Sequence, residues 1–298
     1  RRLFAFMLGM LSLALPGRGA VRWMLWDGGG GDSDWFNPAN WHEDGVPMAG
    51  DSVTLGIGAN VMLSNNTPPL ASLSIEGATL QVKNWTTITA THARVILGGS
   101  LTLPAGFTAA GPSNRIHVVC SNFTLEAGST VNADAGGFLG AQGPGAGSQS
   151  YRRRGGGHGG RGGVGDSSDR TGYTYGSVHR PLEPGSGGCH PDQGGAGGGV
   201  IHIEATGTVL NNGTVSADGQ AYRSSQFGGG GSGGDVLIEC DTLEGGGRVT
   251  ARGGSGGSSG GAGGGGRIAV HYASCGGAWP GLRFDTAPGA SGYATTVK

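Results

Sequence analysis

The carboxylates Glu76, Glu126, Glu204, Glu239 and Asp241 are the side chains best suited to acid–base work on a glycosidic bond. Enzymes that cleave polysaccharides need such groups clustered on one face, and these are scattered singly near the ends of apolar strings. Glu204, in VIHIE, and Glu239, in DVLIE, occupy equivalent places in two similar stretches and could face outward one repeat apart. Two carboxylates at homologous repeat positions read first as a by-product of repetition, so no catalytic residue is assigned and the chain is expected not to be an enzyme. Gly230–Ile238 fits the nonapeptide G-G-x-G-x-D-x-U-x, whose carbonyls and Asp hold Ca²⁺ between adjacent turns. That site is shared by tandem copies, and only one copy exists. Asp27, Asp32 and Asp34 beside Gly28–Gly31 make a second acidic loop. The four cysteines, Cys120, Cys189, Cys240 and Cys275, include no C-x-x-C pair, and Cys189-His190 alone does not make a zinc site. No phosphate loop of the form G-x-x-x-x-G-K-[ST] and no strand–helix G-x-S-x-G elbow occurs. Neither a cofactor nor a metal is expected.

A basic segment offers binding rather than catalysis. Arg152, Arg153, Arg154, Arg161, Arg170 and Arg180 lie with His158 and His179 in one stretch, with Tyr151, Tyr173 and Tyr175 interspersed. Guanidinium groups grip sulfate, phosphate or carboxylate through paired hydrogen bonds, so an anionic extracellular polysaccharide is a candidate partner. The plainer reading is a solvated loop whose charges keep it soluble.

The elements that must carry these residues are short. Of 298 residues, 68 are Gly and 13 Pro, about 27 per cent, which is in the low-complexity range. A net charge of −1 removes the repulsion that would keep such a chain disordered and argues against a nucleic-acid partner. So much glycine excludes a long-helix protein, and the absence of a Gly-X-Y period excludes collagen. Strings such as Ser52–Leu55, Asn60–Leu63, Thr79–Val82 and Ser100–Leu103 are bounded by turn residues and partly alternate, which predicts an all-β chain. Leu73–Val82, Val95–Leu103 and Phe123–Val131 each read strand, glycine-containing corner, strand. They recur at spacings that suit one coil of a solenoid, whose inward row is buried only by stacking.

A second repeat begins at Val200, Asp235 and Arg267, with Val215, Val249 and Val131 in one frame, and each copy follows a glycine run. The expected fold is a parallel β-helix with long glycine-rich loop insertions leaving the stack at one corner. The polyglycine is either mobile surface linker or polyproline-II-like strands whose missing side chains let backbones approach. Residues 1–20 have the basic start, short apolar run and small-residue exit of a signal peptide. Residues 21–140 are then an N-terminal cap and coils, 141–199 a Gly/Arg-rich insertion, and 200–298 further coils with polyglycine loops. No later stretch is apolar enough to span a membrane.

Residues Trp26–Leu55 carry a resemblance. The Trp26-x-Gly28 start, Trp35, Asn40-Trp41, Gly45-Val46-Pro47 and Gly50-Asp51-x-Val53 closely resemble the opening module of large secreted β-helix proteins, among them bacterial autotransporter-like and autotransporter-associated β-strand surface proteins. The same stretch is distantly similar to the start of the G8 module. The resemblance implies a right-handed parallel β-helix, an extracellular or cell-surface location, and an adhesive or structural role; the glycine loops offer self-association or ligand contact. It supplies no catalytic residues. In physical terms, the first coil of an open β-helix exposes a strand edge. Trp26, Trp35 and Trp41 are large plates suited to covering that end, with sugar stacking as the rival use.

Overall fold

The computed structural model describes residues 21–111, 114–146, 153–165, 172–224, 226–276 and 281–292. The signal-peptide reading of residues 1–20 and the candidates Tyr151, Arg152 and Arg170 lie outside them. The chain is all-β, and its strands form parallel sheets.

One sheet holds β1 (Trp23–Leu25), β2 (Ser52–Leu55), β4 (Leu70–Glu76), β6 (Thr87–Ile96), β8 (Arg115–Leu125), β10 (Val200–Ala205), β11 (Thr208–Asn211), β13 (Asp235–Glu244) and β15 (Arg267–Cys275). The other holds β3 (Asn60–Leu63), β5 (Thr79–Val82), β7 (Ser100–Thr102), β9 (Thr130–Asn132), β12 (Thr214–Ser216), β14 (Arg248–Thr250) and β16 (Arg283–Asp285). The chain crosses repeatedly from the first sheet to the second through a tight corner. Each return brings the next strand parallel to its predecessor.

Register explains why such short strands persist. Val61, Leu80, Leu101, Val131, Val215, Val249 and Phe284 pair successively across the second sheet. In the first, Met24, Val53, Leu73, Ala93, Phe123, Val209 and Leu243 do the same. Apart from Phe284 in β16, these side chains are buried. Alternation sends every second residue inward, and full burial of a Leu or Val stabilises by about 1.5–3 kcal/mol. The frame joining Val131, Val215 and Val249 in the sequence is their register in the sheet.

The segment before β2 follows the same logic. β1 pairs with β2 along one sheet, while Asp34 bridges Met62 of β3 along the other. Between them, Trp35 and Trp41 are fully buried and Trp26 nearly so. Their rings meet edge to face, Trp26–Trp41 at 5.1 Å and Trp35–Trp41 at 4.9 Å, and Trp41 Nε1 donates to the Trp35 carbonyl at 2.7 Å. Rings without exposed faces cannot stack a sugar. The Gly50-Asp51 pair has its own task. Gly50 turns at φ +86°, and Asp51 accepts from Arg22 Nη2 at 2.6 Å and from the Met48 backbone at 2.6 Å, tying the Pro47 loop to the start of the first sheet.

The glycine runs depart from the linker reading. Gly194–Gly199, Gly228–Gly234 and Gly260–Gly265 are buried, and they hydrogen-bond between segments. Gly195 donates to Gly229 and Gly198 to Ser232, both at 2.9 Å; Gly230 donates to Gly261 and Gly233 to Gly264, both at 3.0 Å. Between these, Gly231 donates to Gln220 and Ser232 to Ser186, each at 2.9 Å. Each segment thus repeats its partners every third residue and faces three neighbours, the period of a polyproline-II helix, which makes no internal hydrogen bonds. Only glycine permits the spacing. A Cβ at Gly263 would lie 2.5 Å from the Gly231 carbonyl carbon and nearer still to its oxygen. The runs therefore form a backbone-packed layer that leads directly into β10, β13 and β15, and 153–165 and 185–199 of the expected insertion belong to it. Among the described residues no helix is long and apolar enough to cross a membrane.

Candidate functional site

Because Ile116 and Val118, Ile201 and Ile203, and Val236 and Ile238 point inward, the residues between them point out. The register stacks those outward residues. His117 of β8 sits beside His202 of β10, Glu204 of β10 beside Glu239 of β13, and Glu239 beside His271 of β15. The two imidazoles His117 and His202 lie parallel, 4.7 Å apart with a 6° interplanar angle.

Their polar atoms converge. Glu204 Oε1 lies 3.0 Å from His117 Nε2 and 3.1 Å from His202 Nε2, and Glu239 Oε2 lies 2.9 Å from His202 Nε2. His271 Nδ1 is 3.5 Å from Glu239 Oε1, and Arg180 reaches Glu239 Oε2 at 3.4 Å. His117 Nδ1 meets Thr87 Oγ1 at 2.9 Å and Arg115 Nη2 at 3.1 Å. Burial, with the nearby Arg115 and His202, pushes the His117 pKa below its ordinary value despite the opposing Glu204 contact. For Glu239, burial pushes upward but His202, Arg180 and His271 outweigh it, so its pKa lies below the usual carboxylate range. The carboxylates open onto a cleft of about 760 Å³, lined also by Cys240, Asp241 and Tyr272. Imidazole nitrogens and carboxylate oxygens on adjacent rigid strands could hold a cation, or transfer a proton to a ligand in the cleft.

The other sequence candidates are placed as follows. Of the arginines, Arg180 reaches this cluster, Arg153 lies over the Phe227 ring at 4.0 Å, Arg154 is buried in the glycine layer and Arg161 is exposed. Their settings differ, so they do not make one uniform anion face. Asp235 of the calcium-like nonapeptide is fully buried; one oxygen accepts from the Glu183 backbone at 2.8 Å and the other lies 3.4 Å from His158 Nε2. Asp27, Asp32 and Asp34 cap their own turns: Asp32 accepts from the Asp34 backbone at 2.9 Å and from Asn40 Nδ2 at 2.6 Å. These bonds lower the Asp32 pKa. Glu76 accepts from Ser74, and Glu126 lies beside Leu97 N at 3.4 Å. All four cysteines are free thiols.

Comparison with known proteins places part of this framework. A family model described as the G8 domain matches residues 40–130. No curated protein and no solved structure matches the chain. The matched stretch runs from Asn40 through β8 to the start of β9, so it contains His117 but not His202, Glu204 or Glu239. The histidines escaped the sequence reading because 84 residues separate them. The signal that would have found them is a shared apolar-His-apolar pattern, Ile116-His117-Val118 and Ile201-His202-Ile203.

Proposed function

We propose that this chain is a structural or adhesive module of a secreted or cell-surface protein, a right-handed parallel β-helix acting as a rigid extracellular spacer. The observation that carries the reading is the pair of parallel ladders between which the chain alternates. Crossover connections between parallel strands of one sheet are right-handed in nearly all proteins, and stacked coils gain stiffness from every added ladder bond. The buried Trp26, Trp35 and Trp41 serve as the end cap, shielding the first coil from unwanted strand pairing. The signal-peptide pattern of residues 1–20 and the resemblance of Trp26–Leu55 to exported β-helix proteins support the location.

A second reading is favoured by one feature of the outer face. Trp23, three-quarters exposed, shares a groove with Ser72, His92, Arg94, Asn122 and Thr124, and Trp23, Ser52, Ser72, His92 and Asn122 form one register row. An exposed indole beside a polar row repeating at the strand spacing of about 4.8 Å suits a polysaccharide lying along the stack. The purified chain screened against immobilised acidic and neutral glycans, and imaged for filaments, separates the two. Filaments or end-to-end assembly without glycan retention supports the structural module. Micromolar glycan binding or turnover replaces it with a polysaccharide-binding or polysaccharide-degrading module.

A further inference from the structure

We propose that His117, His202, Glu204 and Glu239 form a binding site for a divalent transition-metal ion of the zinc class, opening onto the cleft beside β13. The inference goes beyond the structural role and stands whether or not that role holds.

Donor chemistry points to this class. Two imidazole nitrogens and two carboxylate oxygens suit Zn²⁺, Co²⁺ or Ni²⁺, whereas Ca²⁺ and Mg²⁺ take oxygen ligands. The spacing agrees. The ligand atoms of His117, His202 and Glu204 all lie within 4.8 Å of one another, and the closest pairs are 2.9–3.1 Å apart. Around a tetrahedral ion with bonds of about 2.0–2.1 Å, ligand atoms stand roughly 3.4 Å apart. An ion would need the 2.9–3.1 Å contacts to part by a few tenths of an ångström, the longer separations of up to 4.8 Å to close, and the parallel imidazoles, 4.7 Å apart, to tilt so that both Nε2 lone pairs converge. The backbone holds them in place, since each sits on a parallel strand whose register is fixed by inward aliphatic neighbours.

Tautomers set the consequences. Metal at Nε2 leaves the proton of a neutral imidazole on Nδ1, so the proton now on Nε2 moves to Nδ1 without net release. At His117 the Thr87 hydroxyl, 2.9 Å from Nδ1, can accept a hydrogen bond from the Nδ1–H so formed, the partner that ligating histidines usually have. Arg115, which only donates, must then give up its 3.1 Å contact with Nδ1; its guanidinium already lies 4.3 Å from the Trp85 ring centroid. His202 Nδ1 is buried without a hydrogen-bond partner, so neither tautomer is favoured from that side. Glu204 and Glu239, the more exposed members, give the ion a path from the cleft.

The test is calorimetric titration of the chelator-treated full chain with Zn²⁺, paired with Co²⁺ absorption. The expected result is one ion per chain with Kd below about 10 µM. Co²⁺ should show the visible bands of a nitrogen–oxygen site with no sulfur-to-metal charge-transfer band. Glu204→Gln, half-exposed and isosteric, should weaken binding at least about tenfold with an unchanged circular-dichroism spectrum, and His42→Asn, exposed and outside the cluster, should bind as the parent does. Failure to saturate by about 10 µM Zn²⁺, unchanged affinity in Glu204→Gln, or a thiolate band overturns the assignment.

Discussion

Replacing Gly263 by alanine tests whether the glycine layer is a packed element or a covering of slack chain. In a mobile linker, Gly→Ala is neutral or stabilises by about 0.4–1 kcal/mol, because it restricts the unfolded chain. In the layer the new methyl would collide with the Gly231 carbonyl, whose residue is itself held by a 2.9 Å bond to Gln220. Backbone cannot rotate away as a side chain can. Relief means parting two segments, which costs about 1–3 kcal/mol for overpacking. Separation also strains the Gly263–Gly254 hydrogen bond, 2.8 Å long and buried, and leaving such a group unmatched costs about 1–3 kcal/mol more. The expected total is about 2–6 kcal/mol, a fall in Tm of roughly 3–10 °C for a chain of this size. Urea and thermal unfolding should be compared with Gly56→Ala, where a Cβ meets nothing within 4 Å. If Gly263→Ala melts at or above the parent temperature, the close-packed account is wrong.

Other expectations follow from the same geometry. Trp41→Ala should cost about 3–5 kcal/mol in stability, read by denaturant midpoint, because it empties a fully buried site and removes two ring contacts. Asp51 should make the fold acid-sensitive. Burial alone would raise its pKa, but Arg22 and the Met48 backbone outweigh it and hold the folded value below the unfolded one. Its stabilisation is therefore complete above the ordinary carboxylate range and is lost as pH falls through the folded value. Melting temperature in Asp51→Asn should consequently lose part of the parent's decline below about pH 4, and an identical acid profile would contradict this. Thiol titration of the native chain should label the exposed Cys275 first; Cys120, whose pKa burial pushes up to about 12, should react only on unfolding.

The strands were the legible part, and the reason is local. Ser52–Leu55, Asn60–Leu63 and Thr79–Val82 each contain their own alternation and turn residues, and the fold keeps their limits. The first half of β6, Thr87-Ile88-Thr89-Ala90, went unread because its inward row has only Ile88 and Ala90 to announce it. The candidate site was half legible. Glu204 and Glu239 could be set one coil apart, since their stretches resemble each other and follow similar glycine runs. His117 could not be joined to them, because the strand that pairs with its own lies beyond the whole glycine-rich insertion. The layer itself was visible only as a choice between slack and packed glycine. Composition alone does not decide it; close packing exists only when several runs from distant parts of the chain are brought side by side.

One property of that layer reaches into how the molecule assembles. A run of glycine carries no address: displaced by three residues along its neighbours, it would recover nearly the same bonds, Gly230 to Gly261 and Gly233 to Gly264 being interchangeable in kind. Correct alignment must therefore be dictated from outside, by the aliphatic rungs at Ile201, Val236 and Ile268 that immediately follow each run. The phase of the glycine layer is thus set by the strands that continue from it, and a shift of one strand would carry its glycine run out of step with its neighbours.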